Sequence, residues 1–400
     1  MRLLRTIRIS ARPDGFSLML TTGRGAQTPG QLPRVLHVSR PAAGGLRQHL
    51  ITLLNGLSQR GCTCALAGPA ALLRDIEETK GGAPCESVLP IEITDRPQLQ
   101  SDLLAARRLR RAAAGFDLVH AHGMRAAWIA AVSGCRPFVL TAHNLYRRPA
   151  GLLAARAGAF ALGRASLIIA VSEAVGRTLE EAGVSSHFIR VVPNGIAPPR
   201  PRATRDEIRE RHGIGPDAPL VLCVARLMAD KGVDVLVQAW SAIQQASPSA
   251  RCIIAGDGPD MPALREMSAR LHGLALAGFV DDAASLYAAA DVVAIPSRRE
   301  GQSLVCLEAM ASQPAPAVVA SDAGGLPEMV RDGVTGLLVA KEDPGALADA
   351  VVRLLGDAGL RRALSEAAAV MVAERYSTDA MCDATTRVYS QTLRAKKPGS

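Results

Sequence analysis

Aromatic residues are scarce: six Phe, four Tyr and two Trp in 400 residues. A protein that holds nucleic acid by stacking bases needs more, so that class is set aside. No apolar run reaches the roughly 18–20 residues of a membrane-spanning helix. There is no C-x-x-C pair and no zinc-type spacing of Cys and His. A P-loop and a nucleophile elbow are also missing, as is an Asp-x-Asp at a strand end that would point to a divalent ion. Lysine occurs only at 80, 231, 341, 396 and 397, in a chain rich in arginine and alanine. The eight cysteines stand at 62, 64, 85, 135, 223, 252, 306 and 382, several of them inside apolar strands such as "RCIIAG". They read as small hydrophobes with reduced thiols, and so as those of a cytosolic protein.

What is present is a globular chain long enough for two domains. Its charge is divided unevenly. Residues 1–200 carry 25 Lys and Arg against 12 Asp and Glu, and the second half carries 21 against 25. A basic first half points to an anionic partner or surface, with solvated arginine as the plain alternative. Residues 1–32 are arginine-rich, nearly free of acid and without an apolar signal core. They are read as a disordered extension or a mis-assigned start, with a transit peptide as the alternative.

From Arg34 onward strands alternate with helices. "RVLHVS" is a buried strand. "GGLRQHLITLLNGLSQRG" follows, with Leu46, Leu50, Leu53, Leu54 and Leu57 on one helical stripe and Gly61 closing it. Then come "TCALAGP", a helix, "DLVHAH", a helix, "FVLTAH", a helix, "SLIIAVS", a helix and "FIRVVPNG". Such alternation predicts a parallel sheet covered on both faces. "PNGIAPPRPRATRDE" reads as a linker. The alternation then restarts with "PLVLCVAR" and "RCIIAGDG" and continues through "DVVAIPS" and "AVVAS". The expected layout is therefore two α/β domains, 33–197 and 198–377, with the last helix (378–395) a candidate to cross back to the first.

Parallel sheets bind ligands beyond the carboxyl ends of their strands. In the second half those ends carry Arg226, the turn 256–259 with Gly258, the segment Gly278–Val280, and Glu300. Arg226 and Lys231 flank a helix start near Gly232, where cations and free N–H groups suit a diphosphate; ordinary surface cations are the plain reading. Glu300 precedes Gly301, Ser303 is placed to cap the next helix, and Glu308 lies inside it. Carboxylates either side of a helix start suit a sugar at one end and a ribose at the other. The plain reading of Glu308 is a solvated helix glutamate.

In the first half, Gly44 and Gly45 stand at a strand-to-helix turn where backbone can approach closely. His120 and His122 are expected to face opposite sides of their strand, His122 toward the site and His120 in the core. Thr141, His143 and Asn144 occupy the next tip. Ser172 reads as a helix N-cap and Asn194-Gly195 as a turn.

Taken together, "GGLRQHL", "DLVHAHG", "TAHN", "AVSEA", "VPNGI", "VARLMADKGVDVLVQA", "AGDGP", "GFVDD", "SRREGQSLVCLEAM" and "ASDAGGLPEMVRDGVTGLLV" resemble glycosyltransferase family 4 over about residues 34–395. Glu300 and Glu308 match that family's E-x7-E motif. The resemblance implies the GT-B fold, two Rossmann-like domains facing across a cleft. It implies a retaining transfer from a nucleotide-diphosphate sugar without a metal or other cofactor. It assigns Arg226 and Lys231 to the diphosphate, Glu308 to the ribose, and the amides of Leu304 and Val305, next to Ser303, to phosphate. Glu300 would contact the sugar or steady charge at its anomeric carbon, and His122 would position a donor hydroxyl across the cleft. Gly44 and Gly45 would close near the leaving diphosphate, Gly258 and Val280 would lie on the donor side, and His143 and Asn144 on the acceptor side.

The chemistry agrees. Breaking a glycosyl–phosphate bond places negative charge on the diphosphate and positive charge on the sugar. A two-carboxylate hydrolase fits less well, since a helix start lies between the acids. The turn after Glu308, 312–317, is about two residues longer than in that family and lacks its glycine, so a local bulge is expected there, away from the site. Gln302 and Ser303 stand where an aromatic residue and a glycine are frequent.

The expected partners are a nucleotide-sugar donor and a glycan, lipid-linked or small-molecule acceptor in cell-surface polysaccharide or lipopolysaccharide synthesis. Arg107, Arg108, Arg110, Arg111, Arg147 and Arg148 are suited to anionic head groups on the inner face of the cytoplasmic membrane. No nucleic-acid partner is expected. The rival readings are a nucleotide-sugar epimerase or hydrolase of similar architecture and a non-catalytic binding subunit. The last would be marked by loss of Glu300, Lys231 or His122, and all three are present.

Overall fold

The computed structural model describes residues 32–42, 44–78 and 85–395. The arginine-rich segment read as a disordered extension lies almost wholly outside them. Seven parallel strands form the first sheet: β1 (Arg34–Ser39), β2 (Thr63–Gly68), β3 (Ser87–Pro90), β4 (Leu118–His122), β5 (Phe138–Ala142), β6 (Leu167–Ala170) and β7 (Ile189–Val191). Their order is β3-β2-β1-β4-β5-β6-β7. Six more form the second: β8 (Leu220–Val224), β9 (Arg251–Ala255), β10 (Leu274–Gly278), β11 (Val292–Ile295), β12 (Ala317–Ser321) and β13 (Leu337–Val339), ordered β10-β9-β8-β11-β12-β13. In each sheet the order reverses beside the first strand, which opens a crevice at the carboxyl ends.

Alternate residues feed the two faces. In β11, Val293 and Ile295 join one apolar cluster while Val292 and Ala294 join the other. Burial on both faces explains why these strands read as continuous apolar runs. The edge strand β3 escaped the sequence reading, which placed a single helix between β2 and β4. It is four residues long, ends in proline and is only partly buried, so it carries no such run. The end of the supposed linker is also structured. Thr204 caps the helix Arg205–Arg211 in a capping box with Glu207, a pattern visible in "TRDE". The longer turn after Glu308 is absorbed in the loop: β12 pairs with β11 in unbroken register from Val292↔Ala317 to Ile295↔Ala320.

The chain passes between the two domains twice, and the crossings are tied together. The Ile196 N–H donates to the Tyr376 carbonyl at 2.8 Å. Beside it, a methyl group on Gly195 would overlap the Ser377 carbonyl and lie 2.8 Å from Thr378 Cα. So "NG" is more than a turn; it is where two backbones touch. The last helix, Thr378–Arg394, then lies along the helix Gly45–Gln59 of the first domain. Arg60 holds it through Asp379 at 2.8 Å and Asp383 at 2.9 Å, and Tyr389 reaches His120 at 2.7 Å.

Gly195→Ala is expected to lower the thermal unfolding temperature, with a cost of roughly 1–3 kcal/mol from overpacking. Gly163→Ala, where a Cβ meets nothing within 4 Å, should leave it unchanged or raise it.

Candidate active site

The carboxyl ends of the two sheets meet around the loop after β11. A methyl group on Gly301 would overlap the His143 carbonyl and lie 3.2 Å from Asn144 Cα. The Gly301 carbonyl accepts from Ser172 Oγ at 2.7 Å. Ser172 also caps its own helix, accepting from the Val175 N–H at 3.1 Å. Gln302 Oε1 accepts from the Asn194 N–H at 2.6 Å. Glu328 spans the same junction, its carboxylate accepting from the Glu173 and Ala174 N–H groups at 2.9 and 2.8 Å. An acid from one domain therefore caps a helix of the other.

On this scaffold Glu300 is 9 % exposed. Lys231 Nζ donates to its Oε2 at 2.6 Å and Ser297 Oγ to the same oxygen at 3.2 Å. The sequence reading placed Lys231 on a diphosphate. Here its ammonium first neutralises Glu300, because a buried carboxylate needs a counter-charge. An ammonium has three donors, so it can bridge this acid and an incoming anion. The Lys231 turn is held by Arg298, a residue the sequence reading did not single out. Its guanidinium makes a two-pronged pair with Asp234 at 2.7 Å, bonds Glu342 at 2.9 Å and donates to the Ala229 carbonyl at 2.9 Å. The paired carboxylates raise its pKa further above the ordinary arginine range.

Arg226 is exposed at the end of β8. The turn carrying Gly258 braces its loop: the Leu227 N–H donates to the Asp257 carbonyl at 2.9 Å, and the Asp260 N–H to the Leu227 carbonyl at 3.1 Å. Ser303 caps the helix Leu304–Ala311, accepting from the Cys306 N–H at 3.3 Å. That leaves the Leu304 and Val305 amides at an open helix start. Gly45 sits over this start, where its Cβ would lie 3.5 Å from Leu304 Cδ1; Gly44 adjoins it with φ 55°. Glu308 lies one turn farther in. Burial raises its pKa, and Tyr287 Oη donates to its Oε2 at 3.2 Å, acting the other way. Tyr287, not singled out in the sequence, holds that carboxylate. Val280 packs against the second-domain core, and Asn144 is exposed.

The histidines need correction. His120 and His122 do not face opposite sides: residues i and i+2 of a strand share a face, and their ring centroids are 4.2 Å apart. Nor does His122 stand open to the cleft. It is fully buried, with Nε2 3.0 Å from His37 Nδ1. His49 and His143 adjoin it, with ring centroids 5.6 and 5.8 Å away. Burial pushes His37 down to about 3 and His49 down to about 4, the latter against the raising effect of the neighbouring Asn194 amide. The other three lie well below the ordinary histidine value for the same first reason.

Two parallel-sheet domains joined at the carboxyl ends of their strands define the GT-B class of fold. The family models agree with that architecture. Residues 43–200 match "Glycosyltransferase Family 4", and residues 218–357 match "Glycosyl transferases group 1". A D-inositol 3-phosphate glycosyltransferase of Xylanimonas cellulosilytica is 32 % identical over 394 residues, covering 88 % of this chain and 93 % of its own. An alpha-D-kanosaminyltransferase of Streptomyces kanamyceticus is 35 % identical over 195 residues, 47 % of this chain and 50 % of its own. Among solved structures, Anabaena Alr3699/HepE in complex with UDP-glucose superimposes with a TM-score of 0.77 at 23 % identity, covering 90 % of this chain and 100 % of that one. The chain belongs to glycosyltransferase family 4.

Neutral buried histidines make the protein acid-sensitive. Their folded pKa values lie below the unfolded value of about 6.5, so the unfolded chain takes up protons first as pH falls. Stability is complete above about pH 6.5 and is lost from there down to the folded values. At pH 5, His37 and His49 should each cost about 2 kcal/mol. Thermal unfolding across pH 5–8 tests this, and His37→Gln should reduce the loss on acidification.

Proposed function

We propose that this protein is a retaining glycosyltransferase that takes a sugar from a nucleotide-diphosphate donor without a metal in the transfer step. The observation that carries the reading is Lys231 paired to Glu300 beside an open helix start, at the meeting of the two sheets. The bond that breaks joins the anomeric carbon to a phosphate oxygen. Lys231, Arg226 and the Leu304 and Val305 amides supply positive potential at the departing diphosphate, in the place a divalent ion takes elsewhere. Glu300 supplies the opposite potential at the sugar. Glu308 keeps Oε1 for a ribose hydroxyl while Tyr287 holds Oε2. His122, buried with Nε2 facing His37, has only Nδ1 left for a donor hydroxyl, and the site must open locally for the two to meet. The UDP-glucose complex of Anabaena Alr3699/HepE, which has the same fold, supports a nucleotide-sugar donor.

A donor screen by thermal shift with UDP- and GDP-sugars tests the donor. Comparing each protein with and without donor removes any baseline change from unpairing Glu300. Lys231→Ala should abolish the donor-induced rise, and a rise that survives removes Lys231 from its role. Glu300→Gln should keep the rise and lower kcat by at least about a hundredfold. Product analysis with and without acceptor separates transfer from epimerisation and hydrolysis, and the anomeric configuration of the product decides retention.

The acceptor is proposed to be a lipid-linked or cell-surface glycan met at an anionic membrane, in polysaccharide or lipopolysaccharide synthesis. No helix among the described residues is long and apolar enough to cross a membrane. The helix Leu99–Ala113 instead exposes Leu99, Leu103 and Leu104 beside Arg107, Arg108, Arg110 and Arg111. The helix Leu152–Arg164 exposes Leu152, Leu153 and Phe160. Apolar side chains with arginines suit an anionic interface. Vesicles with and without anionic lipid should separate binding from none, and the binding should fall with salt. Retention on neutral vesicles alone refutes the charge argument. The name of the Xylanimonas relative makes inositol phosphate the small-molecule acceptor to include beside the glycans.

A further inference from the structure

Five of the eight histidines meet on one side of the first sheet: His37, His49, His120, His122 and His143. His120 is saturated, with Tyr389 Oη at 2.7 Å and Thr141 Oγ1 at 2.6 Å. The others are not. His37 Nε2, both nitrogens of His49, His122 Nδ1 and His143 Nε2 are buried without a hydrogen-bond partner, and so is Asn194 Oδ1. Leaving such a group unsatisfied costs about 1–3 kcal/mol, so several in one place point to something that binds them. His49, His122 and His143 each offer a ring nitrogen, and the three atoms lie within 4.8 Å of one another. We propose that His49, His122 and His143 form a binding site for a divalent transition-metal ion, Zn2+ in particular, with Asn194 Oδ1 beside it.

Three imidazoles are a recurrent zinc donor set, with Zn–N distances of about 2.0–2.1 Å, so the rings must draw inward by rotation. Burial keeps them neutral, with lone pairs free for a metal. Nitrogen donors without a carboxylate select Zn2+ or Ni2+ over Mg2+ and Ca2+. His143, just beyond β5, is the least buried of the three. The ligands come from a helix and two strand tips, so no linear zinc spacing marks them. An ion on His122 Nδ1 would deny that nitrogen to a donor hydroxyl. This antagonism rests on the proposed transfer reading, whereas metal binding itself does not.

The test uses the full chain, stripped by a chelator. Zn2+ is titrated against a chromogenic chelator, and Co2+ is followed by visible absorption. The expected result is stoichiometric Zn2+ uptake that Mg2+ does not compete away. The Co2+ spectrum should be that of tetrahedral nitrogen ligation, without thiolate-to-cobalt charge transfer. His49→Gln and His143→Gln should each weaken uptake by at least about tenfold, while His187→Gln, on an exposed turn, should not. No uptake, a thiolate band, or uptake unchanged in both histidine variants overturns the proposal. If a variant fails to fold by circular dichroism, the cobalt spectrum of the unaltered chain decides.

Discussion

The whole arrangement depends on one close approach, that of Gly301 to the His143 carbonyl. Any side chain at 301 would push the strand tips of the two domains apart. With none, the Glu300 loop lies directly against the first domain, and Ser172 can reach the Gly301 carbonyl. A second glycine, Gly325, completes the junction, where a Cβ would overlap the Gly301 carbonyl and meet Ser172. Gly325 donates its N–H to the Glu300 carbonyl at 3.0 Å. The region around Glu300 is therefore built largely from closely approaching backbone, braced by the Ser172 and Gln302 side chains. Binding groups held this way lose little freedom when a ligand arrives.

Charge in the site is balanced before any ligand enters. Glu300 is buried enough to need Lys231, and Lys231 is held on a turn that Arg298 clamps to Asp234 and Glu342. An unpaired carboxylate there would be expensive, so loss of Lys231 costs stability whatever else it does. The same economy governs the domain junction, where Glu328 serves the N–H groups of a helix across the boundary. The first domain shows the contrary case. Its histidines are packed together with buried nitrogens that no hydrogen bond serves, a costly core.

The site was partly legible. Glu300 and Ser303 were legible because an acid and a cap stood at a strand end, whereas joining Leu304 and Gly45 to them took the family resemblance. Ser172 was legible as a cap and illegible as a bridge to Gly301, since the second role needs a partner 129 residues away. Arg298 in "SRREG" and Tyr287 carry no local signal of their partners, which lie 64 and 21 residues away at Asp234 and Glu308. His37 and His49 gave no sign of their cluster. Each is unremarkable in its own element, and only the register of β1 with β4, His37↔His120 and Ser39↔His122, brings the rings together.

Alternation of apolar runs with amphipathic helices, by itself, determined the two parallel sheets, because burial on both faces demands that pattern and little else produces it. Strand-tip chemistry and motif order likewise determined the family. Tertiary structure alone decided which charges pair, which histidines meet and where the final helix packs. Those outcomes depend on distances between residues far apart in sequence. They are set by sheet register and by the places where a missing side chain lets two backbones touch.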